Sequence, residues 1–222
     1  MAWFLRITRF ASIHAVYGQE QKNSCGIASV MMVNFKLKKG LIAGAASTAT
    51  IPVIGPTIAP VLTQAALKSA VAVETEVYKA YSDVSGSAYD GSAYTFTDDL
   101  AKVLNKLGIG TWEDKMIGEA GVAGAVLDAM DDDAPIILLT NWKADGGGHF
   151  VVCDQVHNFM GTNYACICDP WNGDVVLTEF KRGEVFNYTA RDPFGSWDIG
   201  GIKHSYAAPK ESKMNGWIVR RK

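Results

Sequence analysis

Cysteine is scarce in this chain: four in 222 residues, at Cys25, Cys153, Cys166 and Cys168. Small secreted scaffolds are far denser in cysteine, so reduced thiols and a cytoplasmic setting are the expectation. An excess of one charge is also missing. The 21 Lys and Arg residues face 23 Asp and Glu, a net charge of −2. Phosphate binding needs a basic surface, so no nucleic-acid partner is expected. The apolar stretch 41–73, "LIAGAASTATIPVIGPTIAPVLTQAALKSAVAV", is interrupted by Pro52, Pro56 and Pro60. Three prolines make a poor membrane span, so no stable membrane insertion is expected. The stretch reads instead as a buried loop, with a helix resuming near Val61 and running to about Tyr81. At the start, "MAWFLRITRFASIHAVYG" lacks a charged segment followed by a long apolar core, and Arg6 and Arg9 interrupt it. It does not read as a signal peptide. The expected location is therefore cytoplasmic, or a target cell reached by a signal-peptide-independent route.

What is present suits a chain with a sizeable core: 48% hydrophobic and 20% charged residues. Such a composition and length fit one domain over 1–222. Residues 24–39 read as a helix, with Ser24 as N-cap and Gly40 as its stop. Thr97, Asp98 and Asp99 open a helix that Gly108 closes, and "AGVAGAVLDAMDDD" reads as another. After Ala134 the pattern changes. "PIILL", "HFVVCDQV", "YACICDP", "DVVLTEF" and "GWIVRR" are short β-branched or aromatic runs between turn signals, which predicts antiparallel strands. The expected class is α+β, with a helical half over about 1–133 and a β half over about 134–222. A cleft between the halves follows from that order.

Only Cys25 lies at a seam between a polar loop, "QEQKNS", and a helix. A helix N-terminus stabilises a thiolate, and with a histidine nearby thiol pKa values fall to roughly 3.5–7.5. His149, after three glycines and at the head of an apolar strand, is the candidate base. His14 reads as too near the nucleophile along a loop, and His157 and His204 as turn residues. A hairpin between strands 149–156 and about 163–170 sets His149 opposite Asp169, Pro170 or Trp171. Asp169 can then orient the imidazole, or Asn172 if the register slips. Asp154 falls on the opposite face. Acyl transfer also needs an oxyanion donor, and the Gln19 or Gln21 amide can join the Cys25 N–H in that work.

"QEQKNSCGIASVMM" resembles the nucleophile segment of the papain-like cysteine peptidases. "GGGHFVVCDQV…YACICDPWNGD" is similar to the histidine and aspartate region of their bacterial branch, which includes bacteriocin-leader-processing peptidases and some effector proteases. The resemblance covers residues 17–36 and 134–180. It implies a papain-like fold, with the nucleophile helix packed on an antiparallel sheet. It further implies Cys25 as nucleophile, His149 as base, Asp169 as its orienter and Gln19 as oxyanion donor. Gly26 replaces the tryptophan of papain itself, as in the bacterial branch, and 41–73 has no recognised counterpart.

The implied partner is a protein or peptide substrate, with an immunity or delivery partner if the chain is a toxin or effector. A glutamine or asparagine deamidase or a cell-wall amidase would use the same triad, and an inactive binding module would keep only its shape. No cofactor is implied. A zinc site from Cys153, Cys166, Cys168 and a histidine lacks a supporting C-x-x-C or H-x-x-x-H unit. The glycines at 146–148 precede a strand and not a helix, so they do not read as a phosphate loop.

Overall fold

The chain begins with strands, not helices. In the computed structural model, which describes residues 2–47, 74–171, 173–185, 187–189, 196–198 and 211–222, β1 (Ala2–Thr8) and β2 (Ile13–Gly18) pair as an antiparallel hairpin. The start of β2 alternates, with His14 and Val16 buried while Ile13 and Ala15 are partly exposed. Arg6, which interrupts the apolar residues, is itself buried. Its Nε donates to Gly173 O at 2.8 Å and lies 3.5 Å from Asp174 Oδ1. The hairpin therefore docks on a distant part of the chain.

Helix α1 (Cys25–Ser47) begins where expected but runs past Gly40, which does not stop it. An interior glycine costs a helix only about 1 kcal/mol, and helix-forming Leu41, Ile42 and Ala43 follow. Helix α2 (Glu74–Ser85) is the described part of the helix expected from Val61; residues 48–73, with the three prolines, lie outside the described residues. Helix α3 (Thr97–Lys106) starts and ends close to its signals, with Gly108 at φ +69° just beyond. A third unexpected strand, β3 (Trp112–Met116), precedes a 3₁₀ turn at Glu119–Gly121 and helix α4 (Val122–Asp131). The first 133 residues are thus mixed, and the helical half is a correction to the sequence reading. No described helix is long and apolar enough to cross a membrane.

The strands expected after Ala134 follow in order: β4 (Ile136–Trp142), β5 (Gly148–Phe159), β6 (Thr162–Asp169) and β7 (Asp174–Phe180). Short β8 (Asn187–Thr189) and β9 (Ser196–Asp198) precede β10 (Glu211–Arg221). The larger sheet has the order β3-β10-β4-β5-β6-β7, with β8 also on β10, and the smaller is β2-β1-β9. All their pairings are antiparallel. The fold is α+β.

Both faces of the larger sheet are covered, which explains why its strands read as continuous apolar runs. Ile137, Phe150, Val152, Cys166 and Cys168 pack with α1, α2 and α3. Ile136, Leu138, Val151, Cys153 and Ile167 pack with α4 on the other face. Period-2 alternation sends neighbours to opposite cores, so β5 delivers its side chains to both.

Candidate active site

Cys25 is the first residue of α1 and is 8% exposed. Ser24 holds the N-cap position, its carbonyl accepting from Ala28 N–H at 2.9 Å. Its hydroxyl does not cap in the usual way; it donates toward Gln21 O and Glu74 Oε1, both at 3.1 Å. Gly26 has a packing reason. A Cβ there would collide with Thr95 Oγ1 and press on Leu100 Cδ1. The segment before α3 therefore lies directly against the first turn of α1, where a tryptophan has no room.

His149 is the second residue of β5, paired with Thr140 of β4. Asp169 ends β6. The register Val152↔Cys168, continued outward, sets Asp169 opposite Val151, so His149 reaches it diagonally along one face. The contact is short: His149 Nε2 to Asp169 Oδ1 is 2.7 Å, with both residues buried. Asp169 Oδ1 also accepts from Trp171 N–H at 2.8 Å. The Cys25 thiol hydrogen-bonds to the same imidazole. Thus the structure brings Cys25, His149 and Asp169 together in that order. Asn172 lies outside the described residues.

Two opposed influences act on each charge. Burial alone would lower the His149 pKa, but the Asp169 carboxylate and the thiol overcome it and raise it to about 9. Burial alone would raise the Cys25 pKa. The His149 bond and charge, with N–H groups of Phe150 and Gly26, bring it below its ordinary value. Both shifts act in the direction that favours a thiolate–imidazolium pair over the neutral pair.

Gln19 is beside the site but differently engaged. Its Nε2 donates to Gln21 O at 2.8 Å and Lys22 O at 2.9 Å, and its own N–H donates to Pro170 O at 2.9 Å. The amide closes the loop onto itself rather than pointing a free donor at an oxyanion. Gln21 is exposed, and its N–H donates to Ser24 Oγ. The N–H of Cys25, at a helix start with no intrahelical partner, is the donor the fold itself supplies.

A groove of about 670 Å³ runs past Cys25, walled by Phe150, Leu139 and Trp217 on the sheet side and by Tyr94, Thr95 and Phe96 before α3. Tyr94 and Phe96 are 68% and 64% exposed, so apolar surface faces the groove mouth. Sequence reasoning missed these walls, and it also missed Trp142. That indole stacks on the His149 ring at 4.6 Å and 23°, while Trp171 meets it edge-on at 6.2 Å. The β4–β5 hairpin, closed by Trp142 N–H to Gly147 O, was the available signal for Trp142.

The other histidines are also placed differently from expectation. His14 lies in β2, not a loop, and its Nδ1 is 2.8 and 2.9 Å from the Asp154 carboxylate oxygens. His157 is on β5, 3.0 Å from Ser12 Oγ; His204 lies outside the described residues. Asp154 sits in a β-bulge between Cys153 and Gln155, on the α1 side, with Cys168 close by. His14, Asp154 and Cys168 have donor types suited to a metal. Here, however, His14 and Asp154 bond each other and Lys36 Nζ stands 3.8 Å from Asp154 Oδ2, a cation already in place. A metal would have to displace those bonds.

No protein-family model matches the chain, and no curated protein matches it.

Proposed function

We propose that the chain is a thiol-dependent hydrolase of amide bonds with a papain-like fold, acting on a protein or peptide as a cysteine protease. The observation that carries this reading is the buried relay of Cys25, His149 and Asp169, with the imidazole in the middle. In the mechanism that follows, the Cys25 thiolate attacks the substrate carbonyl carbon and the C=O electrons move onto oxygen. The Cys25 N–H stabilises that oxyanion. His149, protonated in the resting pair, gives its proton to the departing nitrogen, and the C–N bond breaks to leave an acyl-thioester. Water then enters; His149 takes its proton while the oxygen attacks the thioester. Collapse expels the Cys25 thiolate, which restores the pair. Asp169 keeps the ring oriented and its charged form favoured throughout.

The test uses unfolded casein and a mixed peptide library, with new N-termini read by mass spectrometry. Wild type should produce new termini, and Cys25→Ala should produce none. Ammonia release with an amide-to-acid mass change and no cleavage would replace the protease reading by a deamidase using the same three residues. Full activity in Cys25→Ala would remove the mechanism altogether.

A further inference from the structure

Glu74 is an acidic residue in a place that disfavours acids: it is 2% exposed, at the first position of α2. Its carboxylate is fully engaged. Oε1 accepts from Ser24 Oγ at 3.1 Å and from Glu20 N–H at 3.3 Å, and Oε2 accepts from Tyr78 OH at 2.5 Å. Two of these three donors belong to the segment leading into Cys25. That segment is also tied elsewhere: Gln19 N–H to Pro170 O, Asn23 Nδ2 to Ser92 O at 2.5 Å, and Tyr89 OH to Asn23 O. Tyr17 OH adds a bond to Glu20 Oε1 at 2.6 Å.

An uncompensated buried carboxylate is costly, so a chain retains one where its geometry matters or where its partners fully satisfy it. Among the described residues nothing in the core packing calls for an acid here, and the residue it grips is the N-cap of the nucleophile helix. The direction of the Cys25 N–H is set by the peptide between Ser24 and Cys25. Glu74 therefore holds the residue whose carbonyl forms one side of that peptide.

We propose that Glu74 is a positioning residue that holds Ser24 and Glu20 so that the Cys25 N–H faces the developing oxyanion. The proposal rests on the hydrolase reading. It differs from a general structural role in a measurable way. Thiolate formation depends on His149, so alkylation of Cys25 does not need the aimed N–H. Binding of a peptide aldehyde does need it, because the hemithioacetal carries a tetrahedral oxygen where the intermediate would.

The experiment compares wild type, Glu74→Gln, Glu74→Ala, Ser24→Ala and Cys25→Ala, each checked for an unchanged near-ultraviolet dichroism spectrum. Two quantities are read: affinity for acetyl-leucyl-leucyl-norleucinal and the rate of Cys25 alkylation by iodoacetamide. Glu74→Ala should weaken aldehyde binding by about 10²-fold, the scale of one lost or misaimed oxyanion donor, with alkylation within about twofold. Glu74→Gln keeps one oxygen to accept from Ser24 and Glu20 and can hold Tyr78 by donating its NH₂ to the phenol oxygen, so it should bind the aldehyde within about fivefold of wild type. Ser24→Ala removes one link and should lie between them; it carries the test if Glu74→Ala does not fold. Aldehyde binding as tight in Glu74→Ala and Ser24→Ala as in wild type overturns the inference alone, as does Glu74→Gln behaving like Glu74→Ala. Fast Cys25 alkylation in a wild type that binds no aldehyde overturns the hydrolase reading, and this inference with it.

Discussion

Two groupings of one cysteine, one histidine and one aspartate stand among the described residues, and their difference lies in the order of contact. In the first, His149 stands between Cys25 and Asp169. In the second, Asp154 stands between His14 and Cys168: His14 bonds the carboxylate, and so does the Cys168 thiol. Both are withdrawn from solvent, so burial pushes both thiols upward. A neighbouring imidazolium reverses that push at Cys25. A neighbouring carboxylate reinforces it at Cys168, which is held well above its ordinary range. Residue types and proximity are thus insufficient; the thiolate needs the cation next to it.

The comparison is broken most directly at the two sulfurs. Cys25→Ala should lower turnover by at least about 10³-fold with the fold intact. Cys168→Ala should leave turnover within about threefold and cost stability through the cavity it opens. Equal losses of activity, measured with the same peptide substrate and normalised by thermal unfolding, would show that the two groupings act as one.

The two histidines separate chemistry from architecture on a smaller scale. His149→Ala should lower turnover by about 10³-fold, within the range of lost general acid–base catalysis. It should also cancel rapid alkylation of Cys25 below pH 7, because the thiol reverts toward its ordinary titration. His14→Ala should leave Cys25 alkylation unchanged but destabilise the chain by about 3 kcal/mol, since the nearly buried Asp154 carboxylate loses its closest partner. Chemical denaturation and residue-resolved alkylation read both effects. A stable His14→Ala variant with slow Cys25 alkylation would invert the assignment.

How much of this could be read from the residues alone follows the range of the interactions. Local signals held: the start of α1 at Cys25, the span of α3, and the strands β4 to β7. The His149–Asp169 pairing came from a hairpin, a short-range structure whose register is limited by its turn, and the expected window included the observed diagonal contact. Gly40 misled because a glycine stop is a tendency that neighbouring helix formers outweigh. The β1–β2 hairpin was missed because buried Arg6 breaks its apolar pattern, and the His14–Asp154 contact was not legible, since 140 residues separate its partners and only docking brings them together. The bulge at Asp154, which aims its carboxylate, leaves no mark in the alternation of β5. For the Gln19 amide, the sequence supplied a donor of suitable type, but the loop carbonyls compete for it at hydrogen-bond distance.

Asp169→Asn sharpens the comparison with the smallest change, one oxygen for one NH₂. The ring keeps a hydrogen-bonding neighbour but loses the charge that offsets burial. Turnover should fall by about 10²-fold, less than for the cysteine or histidine, since orientation is weakened and the nucleophile and base remain. The pH profile of kcat/KM carries the sign. In the wild type the acid limb rises as Cys25 ionises through its lowered pKa, and the basic limb falls as His149 loses its proton near about 9. Without the carboxylate, burial dominates and the His149 pKa drops, so the basic limb should move to lower pH. The weaker imidazolium also supports the thiolate less, so the acid limb should move to higher pH. The active window narrows from both sides. Asp154→Asn should leave both limbs in place, because that carboxylate is engaged with His14 and Cys168 and not with His149 or Cys25. A basic limb unmoved in Asp169→Asn would mean that the aspartate only orients the ring, and that the thiol grouping draws its charge balance from elsewhere.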